Sequence, residues 1–209
     1  MKVLLINGSP NQSGCTYTAL SEVAGALNGS GVETSFFHIG KKPIQGCVAC
    51  KSCKNTGRCA FDDEANVCAD LIRAADGLVV GSPVYFASAN GSLCAFLDRV
   101  FYVGLSSFRY KPAAAVVSSR RGGALTTFDR INKYFTISEM PVVSSQYWNE
   151  VHGSTPDEVR QDLEGLQIMR TLGKNMAWVL KNFENGKKIP LPEQEPRLRT
   201  NFIRQPLNI

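Results

Sequence analysis

The feature that most constrains the fold is a regular alternation of short apolar runs with segments of helical periodicity. Most of the runs are continuously apolar, as expected for parallel strands that are buried on both faces. They predict five strands, at residues 2–6, 32–38, 77–81, 111–118 and 141–144. The segments that follow them predict helices at residues 16–27, 64–75, 89–101, 124–135 and 156–183. This alternation indicates an α/β fold, a doubly wound parallel sheet with helices on both faces.

The composition narrows the class of protein. The chain has 209 residues, 44% hydrophobic and 20% charged, as in an ordinary soluble domain. Its formal net charge is +5, but Lys and Arg are scattered, so no nucleic-acid partner is indicated. No apolar window predicts a membrane span, and the opening run is too short for a secretory signal. We therefore expect a cytoplasmic protein, in which seven cysteines are more often ligands or redox groups than disulfides.

A polar loop, residues 8–16, joins the first predicted strand to the first predicted helix. In a doubly wound sheet, ligands bind at such loops, beyond the carboxyl ends of the strands. The loop offers the hydroxyls of Ser9, Ser13 and Thr16 and leads into a helix N-terminus, which attracts anions. It holds no Lys or Arg and matches neither G-K-[ST] nor G-x-G-x-x-G. The sequence therefore predicts a phosphate site built from backbone N–H groups and hydroxyls, with a simple capped turn as the alternative.

Two further loops follow the third and fourth predicted strands. The first carries Tyr85 and Phe86, aromatic side chains that could flank a flat ring at the edge of the sheet. The alternative is that these rings pack beneath a helix. In the second loop, Gly122 and Gly123 let the backbone approach a ligand closely, while Arg120 either meets a phosphate or is solvated.

Four cysteines in one short stretch have the spacing C-x2-C-x2-C-x5-C: Cys47, Cys50, Cys53 and Cys59. Such compact spacing lets three thiolates of one loop reach a single iron–sulfur cluster, with a fourth ligand a few residues later. Zinc held by four thiolates is a second interpretation, although one compact loop suits tetrahedral geometry poorly. Free thiols near a cofactor or a subunit interface are the third. The sequence leaves these three interpretations open.

Together these stretches resemble the flavodoxin-like NADPH-dependent FMN reductase family. The resemblance rests on LLINGSPNQSGCTYTAL, GCVACKSC…GRCAFDD, ADGLVVGSPVYFASANGSLCAFLDRVF, SSRRGGAL and NEVHGSTPDEVRQDLEGLQIMRTLGKNMAWVLK. It implies a flavodoxin-like five-stranded parallel sheet with strand order 2-1-3-4-5, in a domain that spans residues 1–183. An inserted cysteine loop occupies residues 40–62, and residues 184–209 form an extended C-terminal tail.

The resemblance also implies FMN bound at the sheet edge, with its phosphate in the first loop and its ring against the next two loops. It assigns cofactor contacts to Ser9, Asn11, Ser13, Cys15, Thr16, Pro83, Val84, Tyr85, Phe86, Asn90, Gly91, Ser119, Arg120, Gly122 and Gly123. Cys15 departs from the expected small polar residue. The cysteine stretch is similar to that of the iron–sulfur flavoproteins, which implies a 4Fe–4S cluster on Cys47, Cys50, Cys53 and Cys59.

The function that the resemblance implies is electron transfer through FMN, from NAD(P)H or another reduced donor to a quinone, nitro compound or flavin. The flavin carries this chemistry, so no catalytic side chain is assigned, and neither His38 nor His152 belongs to a readable relay. The alternative function is an electron carrier between a 4Fe–4S cluster and FMN. Family members commonly form dimers or tetramers, so we expect a homodimer or homotetramer with contacts through the cysteine loop and the tail.

Overall fold

A computed structural model describes residues 1–196 and 198. The strands are β1 (Lys2–Asn7), β2 (Glu33–His38), β3 (Gly77–Tyr85), β4 (Ser88–Ala89), β5 (Ala113–Ser119) and β6 (Glu150–His152). The helices are α1 (Cys15–Gly29), α2 (Cys53–Thr56), α3 (Glu64–Ala74), α4 (Gly91–Gly104), α5 (Ala124–Ile137), α6 (Pro156–Gln161) and α7 (Leu163–Asn185).

Five strands form one parallel sheet in the order β2-β1-β3-β5-β6. Counted along the chain without β4, this is the order 2-1-3-4-5, so the predicted flavodoxin-like α/β fold is confirmed. The short strand β4 is an addition, which pairs antiparallel with the end of β3 in a hairpin. Because the five strands are parallel, the loops that follow them meet at one edge. We call residues 8–16, 83–91 and 119–123 at this edge the rim.

Helices cover both faces of the sheet. Along β1, Leu4 and Ile6 belong to the core under α3, α4 and α5, whereas Val3 and Leu5 belong to the core under α1 and α7. All four side chains are fully buried. Successive residues of a strand point to opposite faces, so burial on both faces explains the continuous apolar runs in the sequence.

The helices α1 and α7 pack closely on one face of the sheet. They approach each other at Gly173 of α7. An added Cβ at this position would lie 2.7 Å from both the Cβ of Ala26 and the carbonyl oxygen of Val23 on α1. The spacing of the two helices therefore depends on the absence of a side chain at residue 173.

The last strand differs from the prediction. The sequence predicts a strand at residues 141–144, but these residues form only an isolated bridge, at Val142. The sheet is completed instead by β6. The chain is fixed just before β6 by Asn149, whose side chain donates to the carbonyl oxygen of Ala115 at 3.0 Å. The carbonyl oxygen of Asn149 accepts from the N–H of Val117 at 2.9 Å.

The helix predicted at residues 156–183 is in fact two helices, α6 and α7, separated at Asp162. The carboxylate of Asp162 accepts from the N–H of Gly165 at 2.9 Å and thereby caps α7. It also accepts from the N–H of His152 at 2.7 Å. A carboxylate is favourable at a helix N-terminus, and here it also ties the last strand to α7.

The C-terminal segment is described only in part. The helix α7 continues past the predicted domain boundary at residue 183 and ends at Asn185. Residues 190–196 form neither helix nor strand, and the side chain of Gln194 donates to the hydroxyl of Tyr110 at 2.8 Å. Arg197 and residues 199–209, the remainder of the predicted tail, lie outside the described residues. Within residues 1–196, no helix is both long and apolar enough to cross a lipid bilayer.

Candidate functional site

The three loops of the rim contact one another. The hydroxyls of Thr16 and Ser118 lie 2.8 Å apart and join the start of α1 to the end of β5. An added Cβ on Gly123 would lie 2.5 Å from the Cα of Ala87, so the loop after β5 packs directly on the β3–β4 hairpin. Loops that are far apart in the sequence therefore line one continuous surface.

The loop between β1 and α1 carries backbone N–H groups without acceptors. The N–H groups of Ser9 and Asn11 are used inside the loop, by the side chains of Asn7 and Ser9 respectively, both at 3.1 Å. For five other residues, no acceptor within residues 1–196 is paired with the N–H: Gln12, Ser13, Cys15, Thr16 and Tyr17. Together with the dipole of α1, these N–H groups form a donor set that suits a phosphate.

The long helices differ in how their N-termini are capped. Side-chain oxygens of Asp63, Asn90 and Asp162 cap α3, α4 and α7. The helices α1 and α5 instead begin after Gly14 and Gly123, and in the described part of the chain no side chain caps either of them. Neither helix has an acidic residue in its first turn. Both of them begin at the rim, so their positive ends are available to an anion there.

The predicted phosphate contacts lie at different depths in the first loop. Ser9 and Thr16 are buried, whereas Asn11 and Ser13 are exposed. Burial is the main cause that raises the pKa of the Cys15 thiol, and the nearby charge of Glu158 raises it further. The thiol therefore stays neutral and adds no negative charge to a site suited to an anion.

The β3–β4 hairpin presents two exposed aromatic side chains. Phe86 and Ala87 form its two-residue turn with φ angles of 49° and 57°, a region that residues other than glycine rarely adopt. Phe86 is fully exposed and Tyr85 is 45% exposed, so neither ring packs beneath a helix. Pro83 and Val84 are half-buried below the turn. Backbone strain of this kind is found often at ligand-binding sites.

Asn90 and Gly91 lie where the hairpin leads into α4. The side-chain oxygen of Asn90 accepts from the N–H groups of Ser92 and Leu93 at 2.8 and 3.2 Å, so only its Nδ2 is left for a ligand. Gly91 lines a pocket of about 320 Å³ beside the hairpin. The other residues that line it are Pro10, Ile39, Gly40, Lys41, Lys42, Tyr85, Asn90 and Ser92. The two lysines, which the sequence analysis missed, give this pocket a positive charge.

The loop after β5 contains one buried residue, Ser119, followed by residues that are exposed or half-buried. Ser119 is buried, and its hydroxyl lies 3.2 Å from Nδ1 of His152, so this pair joins β5 to β6. Arg120 is exposed at the rim. An added Cβ on Gly122 would meet open space, whereas Gly123 has a φ of 89° and needs to be glycine.

The four clustered cysteines lie in the cysteine loop, outside the rim. Cys47 and Cys50 are exposed, while Cys53 and Cys59 are half-buried around the single-turn helix α2. Burial is the main cause that raises the pKa of the Cys53 thiol, and interaction with Cys47, Cys50 and Cys59 raises it further. Among the described residues, however, no three His, Cys, Asp or Glu side chains are grouped closely enough to hold a metal ion. The donor set suits an iron–sulfur cluster, but the thiols are not assembled around one.

Arg99 on α4 is a buried cation that the sequence analysis missed. Its guanidinium forms two hydrogen bonds with the carboxylate of Asp63, at 2.6 and 2.7 Å. It also donates to the carbonyl oxygens of Gln45 and Phe61, at 3.2 and 3.3 Å. Its Nε lies 3.3 Å from the Sγ of Cys59. Arg99 therefore attaches the cysteine loop to α4, and the only signal in the sequence is an arginine within the apolar stretch CAFLDRVF.

The chain is similar to a known protein family, to a curated relative and to solved structures. Residues 1–155 match the family described as NADPH-dependent FMN reductase. An iron–sulfur flavoprotein from Methanocaldococcus jannaschii is 34% identical over 189 residues, covering 87% of this chain and 98% of that protein. The crystal structure of RosB with bound 8-demethyl-8-formylriboflavin-5′-phosphate has a TM-score of 0.75 at 14% identity, covering 100% of this chain and 98% of its own.

A second solved structure supports the fold assignment. The WrbA-like flavodoxin from Agrobacterium tumefaciens has a TM-score of 0.62 at 15% identity, covering 87% of this chain and 97% of its own. At such low identity, the two structural matches bear on the fold alone. The family match spans most of the chain, and the similarity to the protein from Methanocaldococcus jannaschii extends over nearly the whole length of that protein. The chain therefore belongs to the NADPH-dependent FMN reductase family, in which it is related to the iron–sulfur flavoproteins.

Proposed function

We propose that this protein is an FMN-dependent oxidoreductase that takes electrons from NAD(P)H, or another reduced donor, and passes them to a small acceptor. Quinones, nitro compounds and flavins are the acceptors we expect. Family membership supports a flavin-dependent oxidoreductase. The observation that carries the proposal lies at the start of α1, where no acceptor within residues 1–196 is paired with the N–H groups of Gln12, Ser13, Cys15, Thr16 and Tyr17. This set fits a phosphate, and the exposed rings of Tyr85 and Phe86 fit a flat cofactor.

In this proposal, the phosphate of FMN would be held by backbone N–H groups and by the hydroxyls of Ser9 and Ser13. Thr16 would contribute mainly its N–H, because its hydroxyl is already bonded to that of Ser118. The ring would lie along the hairpin beside Tyr85. The loop at residues 119–123, which packs on the same hairpin, would border it on the other side.

Bound FMN would supply the chemistry, since a flavin accepts hydride and releases electrons singly or in pairs. The chain's own residues would bind, orient and electrostatically support it. The three segments of the rim contain no Asp or Glu, and Arg120 adds a positive charge. No side-chain carboxylate of the rim therefore opposes an anionic ligand.

The pocket beside the hairpin supports a nicotinamide cofactor as the donor. It shares Tyr85 and Asn90 with the proposed ring site, and it is lined by Lys41 and Lys42. Lysine side chains attract the phosphate groups of a dinucleotide. The volume of about 320 Å³ would hold only part of such a molecule. The nicotinamide end would then lie outside the pocket, where it could reach the ring.

An absorbance spectrum and a flavin titration test the proposed function. We expect the purified protein to be yellow, and the flavin-free protein to bind FMN more tightly than riboflavin. The loaded protein should oxidise NADPH or NADH when a quinone or nitro compound is present. A colourless protein that takes up no FMN would contradict the proposal.

A second candidate function is that of an electron carrier between a 4Fe–4S cluster and FMN. Two observations favour it: four cysteines share the compact spacing C-x2-C-x2-C-x5-C, and the relative from Methanocaldococcus jannaschii is named an iron–sulfur flavoprotein. Iron and sulfide analysis of protein purified without oxygen tests this candidate. About four irons per chain would support it. Iron-free protein with full FMN occupancy would contradict the electron-carrier function and leave only the first candidate.

We also propose a cytosolic location and an assembly of two or four copies. All seven cysteines are free thiols, as suits a reducing compartment. The fully exposed Phe86 leaves an apolar group at the rim that a second subunit could cover. Light scattering on the purified protein would show the assembly, and a monomer at micromolar concentration would contradict it.

A further inference from the structure

Asn7 and His38 end two adjacent strands and face the same loop. They are register partners across the parallel pair β1 and β2, so their side chains lie on the same face of the sheet. Asn7 is 1% exposed, and His38 is half-buried. The proposed function gives neither side chain a role.

Between them, these two side chains bind three carbonyl oxygens of the loop after β1. Nδ2 of Asn7 lies 3.1 Å from the oxygen of Gln12 and 3.5 Å from that of Asn11. Nε2 of His38 lies 2.8 Å from the oxygen of Ser9. A carbonyl oxygen can only accept, so both nitrogens act as donors. On its other side, Oδ1 of Asn7 accepts from the N–H of Ser9 at 3.1 Å.

Because a trans peptide unit is planar, the hydrogen bonds from Asn7 to two carbonyl groups also fix the directions of two N–H groups. Within each peptide unit, the C=O and the N–H point in opposite directions. The C=O of Asn11 belongs to the same unit as the N–H of Gln12, and the C=O of Gln12 to the same unit as the N–H of Ser13. Because Asn7 holds both carbonyls, it turns both N–H groups away from itself. Neither N–H has an acceptor in residues 1–196.

His38 acts at a different point of the loop. The C=O of Ser9 precedes Pro10, which has no N–H, so fixing this carbonyl orients no donor. The bond from His38 instead engages an oxygen whose negative end would otherwise be free to face an anion. It also joins the end of β2 to the start of the loop.

We propose that Asn7 and His38 are positioning residues that make this loop selective for a phosphate. They hold the carbonyl groups of Ser9, Asn11 and Gln12 away from the ligand and leave the N–H groups to face it. The inference rests on the proposed FMN site and explains how a loop without Lys or Arg binds a dianion, through oriented backbone dipoles. These two side chains should therefore contribute to the affinity for the phosphate of FMN and not to the affinity for its ring.

FMN and riboflavin differ only in the phosphate, so the ratio of their affinities isolates this effect. Flavin fluorescence would give both dissociation constants for flavin-free wild type and for His38→Leu, His38→Gln and Asn7→Ala. His38→Leu should weaken FMN binding about tenfold and riboflavin binding less than about twofold. His38→Gln should recover most of the loss, because its amide still donates to Ser9. Asn7→Ala should weaken FMN at least as much, because it releases two carbonyls.

Thr34→Val is a matched control on the same strand. It removes a hydrogen bond near the start of β2, between the hydroxyl of Thr34 and the side-chain oxygen of Asn28 at 3.1 Å, and should leave the ratio unchanged. Equal weakening of FMN and riboflavin in His38→Leu, or an unchanged ratio, would overturn the proposal. If that variant does not fold, His38→Asn gives the same comparison, because its shorter amide does not reach Ser9. A wild type that binds neither flavin would refute the proposed function instead.

Discussion

The rim and the cysteine loop present their candidate ligand groups in contrasting ways. At the rim the groups are backbone N–H groups, whose positions are set by strand pairing and by bonds such as that from His38 to Ser9. In the cysteine loop they are thiols on a mostly irregular segment. One end of that loop is well fixed: the buried side chain of Asn66 bonds both the N–H and the C=O of Cys59, at 2.8 and 3.1 Å.

The other end of the cysteine loop is open. Cys47 and Cys50 are exposed, and residues 43–50 belong to no helix or strand. If FMN binds as we propose, its phosphate would need little rearrangement of the rim, whereas a cluster would have to gather thiols that lie apart in the structure. The difference teaches that strand pairing fixes the backbone groups at the ends of a parallel sheet, whereas an inserted loop is fixed only where side chains such as Asn66 and Arg99 hold it. The following experiments test this contrast, beginning with the largest expected effect.

The rate at which a reagent modifies each thiol tests whether one end of the cysteine loop is open to solvent. Slow modification there would contradict the contrast between the two regions. We expect iodoacetamide to modify Cys47 and Cys50 at least about a hundredfold faster than Cys68, because burial raises the pKa of the Cys68 thiol and excludes the reagent. Peptide mass spectrometry after timed quenching measures the rates in the native protein. Similar rates in concentrated urea are the control. Equal rates in the native state would show that another surface covers the loop.

Removing the charge of Asp63 tests the fixed end of the cysteine loop. Asp63→Asn leaves the buried Arg99 without its counter-charge and should lower the free energy of unfolding by about 2 kcal/mol. The expected loss is below that of a fully buried pair because the side chain of Asp63 is 42% exposed. Urea unfolding measures it. Glu22→Gln, which removes an exposed pair with Arg170, is the control and should change stability by less than about 1 kcal/mol.

The ion pair between Asp63 and Arg99 also predicts how the stability of the protein depends on pH. The hydrogen bonds from Arg99 are the main cause that lowers the pKa of Asp63 below its ordinary value of 3.8. A lowered carboxylate pKa contributes stability that is complete above the unfolded-state value and is lost as the pH falls through the folded-state value. The difference in urea midpoint between wild type and Asp63→Asn should therefore be constant from about pH 7 to 5 and shrink below about pH 4. A difference that persists to about pH 2 would contradict this assignment.

Gly8→Ala tests whether the rim is rigid before a ligand binds. The added Cβ would lie 2.6 Å from the carbonyl oxygen of Gly81 and 2.5 Å from Cδ2 of Leu93, and the backbone oxygen cannot move without shifting β3. We expect a loss of about 1–2 kcal/mol in unfolding free energy and weaker FMN binding. Gly25→Ala is the control, because its Cβ meets open space within α1, and it should stabilise by about 0.5–1 kcal/mol. Unchanged FMN affinity in Gly8→Ala would show that the rim adapts to its ligand.

Charge reversal in the pocket beside the hairpin should have the smallest effect. Lys41→Glu with Lys42→Glu should raise the KM for NADPH about fivefold, because each lysine is exposed and its attraction is screened by salt. FMN affinity should be unchanged. Steady-state kinetics at two salt concentrations measure the effect, with Lys181→Glu on α7 as the control. An unchanged KM at low salt would exclude this pocket from donor binding.

Much of the fold could be predicted from the sequence, because buried parallel strands leave continuous apolar runs. The last strand could not. Only Val151 of β6 is buried and apolar, whereas residues 141–144 contain two valines and look more like a strand. What places β6 is the bond from Asn149 to Ala115, between residues 34 positions apart, which no local pattern reveals. The break at Asp162 had a readable signal, since Asp is a favoured N-cap residue.

The candidate site could be predicted only in outline. The first loop was identifiable because it follows the first strand and leads into a helix. The roles proposed for Asn7 and His38 were not, since they depend on β1 and β2 being neighbours with these two residues in register. The same holds for Arg99, whose partner Asp63 lies 36 positions away. Side chains that support a site through tertiary contacts do not occur at a characteristic spacing in the sequence.

At Gly173, α7 rests against Val23 and Ala26 of α1, about two to three turns from the N-terminus of that helix, where we propose that the phosphate of FMN binds. A helix moves as a rigid body. A methyl group at residue 173 would therefore push on the middle of α1 and shift the N-terminus of α1. If the protein binds FMN as proposed, screens for variants that lose their yellow colour should therefore recover this remote glycine together with the proposed contact residues. Distance from the flavin is a poor guide to which substitutions such a screen will find.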